Sequence, residues 1–223
     1  MKMRLIIVLL LLNCSISLAQ NINCGVVYLK EHKIEQAIRE FEEALKNEQS
    51  NPLIYRYLGE AYLRDDNLDK AIEILKKGVD ISPKSADMHY YLGEALRIKM
   101  ECTSWTHFLS KMSIGEESWN ELRESVKLDP SHFDAHFSLG LMYYYAPKIY
   151  GETDNAIFEF KTALKIKSDS ANAHYWLGEA YYKKGEESLA IAEWEKTLDL
   201  DPKNKQARES LSKTKANKRV IRR

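Results

Sequence analysis

Glycine recurs inside one phrase five times along this chain, at Gly25, Gly59, Gly93, Gly140 and Gly178, with spacings of 34, 34, 47 and 38 residues. The clearest copies read Tyr55-Arg56-Tyr57-Leu58-Gly59-Glu60-Ala61-Tyr62 and His174-Tyr175-Trp176-Leu177-Gly178-Glu179-Ala180-Tyr181. Self-similarity at this period marks a stack of supersecondary units, none of which can bury its apolar face alone. Within a copy the first aromatic or histidine, the leucine, the glycine and the second aromatic are spaced i, i+3, i+4, i+7, which is one face of a helix. A second helical stripe comes next, Ala71, Leu75 and Gly78 in one copy and Ala190, Trp194 and Thr197 in another. Pro83, Pro130 and Pro202 close these second helices, and Ser85 and Ser170 stand where N-caps are expected. Glycine inside a helix costs about 1 kcal/mol relative to alanine. Five at one register therefore point to close approach between helices.

The phrase and the second stripe together resemble the tetratricopeptide repeat, whose pattern is W-x2-L-G-x2-Y, then A-x3-F, then P. Residues 171–204 carry it as His174, Leu177, Gly178, Tyr181, Ala190, Trp194 and Pro202, and the repeat from 52 carries Tyr55, Leu58, Gly59, Tyr62, Ala71, Leu75 and Pro83. A first copy keeps Gly25, Tyr28, Ala37, Phe41 and Ala44. The resemblance, to an exported bacterial type with interrupted third and fourth repeats, implies an all-α fold. That fold is a right-handed superhelical solenoid of five helix-pair repeats, at about 18–51, 52–85, 86–132, 133–170 and 171–204, closed by a basic capping helix or tail at 205–223. The third repeat is about 13 residues longer than the standard unit. Its excess falls between Arg97 and Ser118 and includes Ser104-Trp105-Thr106-His107-Phe108-Leu109, expected as a short extra helix. The fourth has four extra residues around Ala146-Pro147-Lys148-Ile149-Tyr150-Gly151, expected as an ordered turn. Insertions of this kind either grip a partner or are decoration.

The chain begins with Met1-Lys2-Met3-Arg4, an apolar run from Leu5 to Leu12, and Ser17-Leu18-Ala19 before Gln20. That is the layout of a removed signal peptide over residues 1–19, and eight apolar residues fall short of the roughly 20 needed to span a bilayer. The expected location is periplasmic or secreted. The competing reading is a membrane-anchored lipoprotein, in which Cys14 of Leu11-Leu12-Asn13-Cys14 carries the lipid; bacterial lipoprotein signals prefer a small residue where this chain has Asn13. Cleavage after Ala19 leaves Cys24 and Cys102, two repeats apart and expected as free, mostly buried thiols. With 33 basic and 33 acidic residues, whole-chain charge calls for no nucleic acid, although residues 203–223 hold nine Lys or Arg and one acid.

No HExxH, phosphate-cradling glycine loop or nucleophile elbow occurs. His89, His136 and His174 recur at one repeat position, but equivalent positions of stacked helices lie about 10 Å apart, too far for a shared metal ion. They read as packing residues. The expectation is a protein that is not an enzyme and uses no cofactor, with no metal site and no catalytic set.

The resemblance further implies that places 2, 5, 9, 12 and 13 of each first helix line a concave groove. The positions that match are Arg56, Glu60 and Arg64 in the second repeat, Tyr90, Glu94 and Arg97 in the third, Phe137, Tyr144 and Tyr145 in the fourth, and Asn172, Tyr175, Glu179, Tyr182 and Lys183 in the fifth. Leu53, Leu63, Asp87, Ile98, Asp134 and Leu141 complete the set. Tyrosines supply contact area at low entropic cost. Glu60, Glu94 and Glu179 share one repeated place, a line of negative charge that suits a basic and apolar ligand segment. The Lys and Asn with which some family members clamp a C-terminal carboxylate are replaced by Ile22 and Val26. The reading is an exported protein-binding scaffold or adaptor holding a peptide or protein segment. Its rivals are an accessory subunit carrying a small apolar ligand for an envelope transporter, which requires an enclosed apolar pocket, and an envelope enzyme with an unrecognised site. Membrane contact is expected only through a lipidated Cys14 or the basic tail.

Overall fold

In the computed structural model, residues 20–146 and 153–221 are described, and every regular element among them is helical. The expected signal segment with Cys14 and most of the insertion at 146–151 lie outside the described residues. The packing divides the chain into two compact units, one ending at Leu128 and the other starting at Asp129. The first unit holds α1 (20–30), α2 (Ile34–Asn47), α3 (Pro52–Arg64), α4 (Leu68–Ile81), α5 (Ala86–Cys102), one turn of 3-10 helix (Trp105–His107) and α6 (Phe108–Leu128). The second holds α7 (Phe133–Tyr145), α8 (Thr153–Ile166), α9 (Ala171–Lys184), α10 (Glu187–Leu200) and α11 (Lys205–Ile221). Within each unit a helix packs on its hairpin partner and on the next helix in the chain, as α3 does on α4 and α4 on α5.

The recurring glycine explains the pairing. A methyl group placed on Gly25 would meet the Phe41 ring at 2.5 Å, on Gly59 the Leu75 side chain at 2.4 Å, and on Gly93 Leu122 at 2.8 Å. In the second unit Gly140 lies under Phe160 and Gly178 under Trp194, at 2.5 and 2.6 Å. Each first helix thus leaves a notch, and each second helix fills it with one large side chain that is fully or almost fully buried. Alanines complete the contact, with Ala37, Ala71, Ala156 and Ala190 at zero exposure.

Short polar side chains set the helix starts. Asn51 accepts from the Leu53 amide, Ser85 from Met88, His132 from Ala135 and Ser170 from Ala173, so both serines expected as N-caps fill that role. Gly185 ends α9 at φ +91°, in the left-handed region that a side chain would strain.

The excess of the third repeat is a helical extension with only one turn of extra helix. α5 runs 17 residues and α6 21, where α3 and α4 have 13 and 14, and the 3-10 turn leads directly into α6. The closing helix keeps the repeat register. Ala207, Leu211 and Thr214 occupy the places held by Ala173, Leu177 and Ala180 in α9, and Ala207 and Thr214 are buried.

The three recurrent histidines are rungs between paired helices. His89 Nδ1 lies 2.6 Å from Glu121 and its Nε2 3.0 Å from the Pro83 carbonyl; His136 repeats this with Glu159 and Pro130 at 2.6 and 3.0 Å. His174 does so with Glu193 and Ser168 at 2.7 and 3.1 Å. At His89 and His136 both ring nitrogens face acceptors, an arrangement satisfied only when both donate, that is, when the ring is protonated. The Glu121 hydrogen bond raises the His89 pKa against the effect of burial; at His136 burial opposes, and the Glu159 and Pro130 hydrogen bonds still leave the pKa raised.

The packing makes two predictions. Gly178→Ala should destabilise the protein by about 1–3 kcal/mol in urea unfolding, because the Trp194 indole cannot flex away, and Gly59→Ala by less, because Leu75 can rotate. A neutral Gly178→Ala would refute the notch account. For the histidines, a pKa raised on folding gives stability that is complete below the unfolded value of about 6.5 and is lost as pH rises through the folded value. Urea midpoints should therefore fall as pH rises above about 6.5, and His89→Asn with His136→Asn should flatten that dependence.

Candidate binding surface

The expected groove residues sort into two chemically different clusters, one in each unit. In the first unit, α3 presents Arg56, Glu60 and Arg64 one turn apart. Glu60 accepts from Arg64 at 2.6 Å and lies 3.6 Å from Arg56, while Arg64 also donates to the Leu29 carbonyl of α1 at 3.1 Å. Arg56 stacks over the Tyr57 ring at 4.0 Å, lies 5.6 Å from the Tyr91 ring and reaches Asp87 at 3.8 Å. On α5, Arg97 holds both oxygens of Glu94 at 2.7 and 2.9 Å and Glu101 at 2.6 Å, with 12% of its side chain exposed. Burial, then the Glu60 charge, push the Tyr91 phenol up, so this polar seam keeps Tyr91 neutral.

Two of the three carboxylates in the line of negative charge are therefore paired. Glu60 and Glu94 are neutralised by arginines of their own helices, and Glu179 accepts a hydrogen bond from Ser210 of α11 at 2.8 Å. Desolvating a carboxylate beside an unpaired partner is costly, and pairing inside the helix avoids it.

In the second unit the surface is aromatic. Tyr144, Tyr145 and Trp176 meet edge to face with centroids 5.0 to 5.7 Å apart, and Tyr175 packs against Trp176 at 5.3 Å. Lys183 lies over the Tyr144 ring at 4.8 Å and donates to the Tyr144 carbonyl. Burial and then the Glu179 charge push the Tyr144 and Tyr175 phenols up to about 12. Tyr145 and Tyr182 are 59% and 44% exposed, Asn172 is exposed, and Tyr144, Trp176 and Phe137 are half-buried. Tyr90, at the equivalent place in the first unit, is half-buried against Tyr91.

Tyr175 corrects the expectation. Only 8% of it is exposed, because it lies in the core of the second unit within reach of Ser210, a residue of the closing helix. Leu141 is buried in the same core. The residues that sequence reasoning missed are Tyr57, Tyr91 and Trp176. All three stand at one place, immediately after place 5, and the recurrence of an aromatic there was the signal that could have found them.

An open cavity of about 470 Å³ lies elsewhere, bordered by Asp65, Asp66, Asp69, Lys99 and Cys102 at the helix ends of the first unit. It is open to solvent and bordered by three aspartates, unlike the enclosed apolar pocket required of a carrier of small apolar ligands. Among the described residues Cys24 and Cys102 are free thiols, but against the expected burial Cys24 is only half-buried and Cys102, at the end of the lengthened α5, is exposed.

Against known proteins, the sequence matches the profile described as "Tetratricopeptide repeat" over residues 25–86 and again over 171–204, and the profile "TPR repeat" over 150–185. Solved structures agree. A thermophilic TPR protein of Thermus thermophilus superposes with a TM-score of 0.70 at 23% identity, covering 88% of this chain and 98% of that one. MamA gives 0.61 at 26% identity, over 84% and 93% of the two chains. YrrB, described as a TPR protein with an unusual peptide-binding site, gives 0.60 at 20%, over 85% and 89%. Among curated proteins, human "Antiviral innate immune response effector IFIT1" is 26% identical over 72% of this chain, and fission yeast "Anaphase-promoting complex subunit 3" 23% over 81%. The chain spans only 27% and 30% of those two proteins. With the glycine notches and the paired helices, these matches define the class: the chain is a tetratricopeptide-repeat protein, an all-α repeat solenoid.

The arginine seam makes its own prediction. Arg97→Ala should cost about 3 kcal/mol, because it removes the bidentate pair from a half-buried carboxylate, and the double variant Arg97→Ala/Glu94→Ala should cost less than Arg97→Ala alone. A double-mutant cycle in urea measures this; additive losses would show that the bidentate pair carries no coupling.

Proposed function

We propose that this protein is an exported scaffold that holds a peptide or protein segment, and that the segment lies on the aromatic surface of the second unit. Tyr144, Tyr145, Trp176 and Tyr182 are the residues that bear it, with Phe137 and Asn172 beside them. The observation that carries the proposal is the edge-to-face set of Tyr144, Tyr145 and Trp176 with Lys183 fixed against it. Such a set is already ordered, so binding loses little side-chain entropy, and large rings give most of the contact energy in recognition surfaces. The export part of the proposal rests on the segment 1–19.

The pairing of Glu60 and Glu94 with arginines of their own helices changes the ligand that fits. A basic segment gains little from carboxylates already engaged, whereas an apolar or aromatic one gains from the rings. In the first unit the arginine seam joins helices and serves as structure. Peptide binding, which the description of YrrB ascribes to that protein, is the same kind of partner.

Display of a random peptide library on the purified full chain tests the reading. Enriched peptides should be rich in apolar residues and should bind the Tyr145→Ala/Tyr182→Ala variant about tenfold more weakly, with a still cooperative urea transition whose midpoint falls modestly, since Tyr145 and Tyr182 are 59% and 44% exposed and the Tyr182 ring also packs on Trp194. Equal affinity for the variant would remove this surface as the site. Tyr175 is unsuited to the test, since its substitution would open the core.

A further inference from the structure

The extension of the third repeat carries a feature that peptide holding does not use. Trp105, Phe108, Leu109 and Met112 succeed one another at i, i+3, i+4 and i+7, the spacing of a buried helix face, yet they are 71, 50, 81 and 52% exposed. The base of the extension is packed: Met100 lies against Gly115, and Ile114 against the core of the first unit. The apolar stripe is thus the free tip of a well-founded helical hairpin. Elsewhere in the unit the same spacing faces inward.

The surroundings of the stripe narrow what can cover it. From Cys102 to Gly115 no residue is acidic, and the flanks are Ser104, Thr106, His107, Ser110, Lys111 and Ser113. Lys111 lies 5.0 Å from the Trp105 ring and donates to the Thr103 carbonyl at 2.9 Å, so a cation is held beside the indole at the tip. At the base of the hairpin Glu101 is engaged by Arg97 and Glu117 by Lys76, each at 2.6 Å, and Asp69 by Lys99, while Asp65 and Asp66 border the cavity beside Cys102 and Thr103. A protein groove that takes an amphipathic helix asks only for the apolar anchors. A tip of tryptophan and aliphatic residues ringed by hydroxyls and a lysine, with its acids confined to the base, has in addition the charge complement of a phospholipid headgroup layer.

We propose that this hairpin tip is a membrane-contact surface, in which Trp105, Phe108, Leu109 and Met112 enter the interfacial layer of an anionic bilayer while Lys111 stays among the headgroups. Four side chains give reversible attachment only. The contact orients the repeat stack at a lipid surface and requires neither a lipidated Cys14 nor the peptide-binding reading.

Trp105 is its own reporter. The full chain is mixed with vesicles of phosphatidylethanolamine and phosphatidylglycerol whose acyl chains are brominated near the headgroup, and the Trp105 contribution is taken as the difference between the native chain and Trp105→Phe. That contribution should be quenched, about tenfold less efficiently at equal lipid in Leu109→Asp, whose exposed position leaves the fold intact, and less in phosphatidylcholine or at about 0.5 M salt. The local readout separates the tip from anything residues 1–19 do with lipid. An unquenched Trp105, quenching unaffected by Leu109→Asp, or a concentration-dependent blue shift without lipid that shows a second copy covering the tip would each overturn the proposal.

Discussion

Everything in this molecule hangs on a notch and a plug. A glycine in one helix lets a single large side chain of its partner come to a distance at which even a methyl group would overlap, 2.4 to 2.8 Å from the would-be carbon. The plug differs among the repeats (Phe41, Leu75, Leu122, Phe160 and Trp194), but the notch does not. Because the glycine costs helix propensity at every copy, it is tolerated only where the close contact returns more than it removes. That asymmetry is why the glycine register sets the hairpin geometry, and why side chains elsewhere on the same helices are free to take up other work. The histidine rungs exploit the same freedom: each ties a first helix to a carboxylate of its second helix and to the carbonyl that precedes it.

How much of this was legible in the sequence depends on the range of the interaction. The helices, the N-caps at Ser85 and Ser170 and the inward face at Leu58 or Leu177 are readable from spacing alone, since they are decided within one or two turns. The side chains of the expected groove were harder. A spacing argument places Glu60, Glu94 and Glu179 on a common line but cannot say that arginines three or four residues away will pair the first two, or that a serine on another helix will hydrogen-bond the third. The Arg56–Glu60–Arg64 and Glu94–Arg97–Glu101 spacings were visible as i, i+3 and i, i+4 pairs, and counting them would have redirected attention from charge to rings. Tyr175 was misplaced for a longer-range reason. Its exposure is decided by α11, a polar helix whose burial of Ala207 and Thr214 shows only once it docks.

The units differ in what they leave for recognition. In the first, arginines stacked on Tyr57 and bridged to glutamates turn the first-helix faces into a sealed polar seam. In the second, those faces are occupied by rings that satisfy one another edge to face, with a lysine rather than an arginine as the associated cation. An arginine fork in the seam has its donors spread over two carboxylates and is hard to recruit. Tyrosine and tryptophan keep part of their area accessible after packing, which is what a ligand can use. Two units built from one repeat thus diverge by the residues beside the notch, one toward rigidity and the other toward contact.

The extension of the third repeat sharpens that division. Lengthening α5 and α6 past the standard hairpin carries four large apolar side chains beyond the last layer that could cover them. An apolar stripe of that kind is an aggregation hazard in water unless something else receives it, and its position at a tip keeps it clear of the notch contacts that stabilise the unit. Its conversion to polar residues would leave Met100, Gly115 and Ile114 packed as they are, so fold stability does not require the exposed rings. A stripe that is exposed at a cost, and idle for the fold, is the part of the chain whose explanation has to come from outside it.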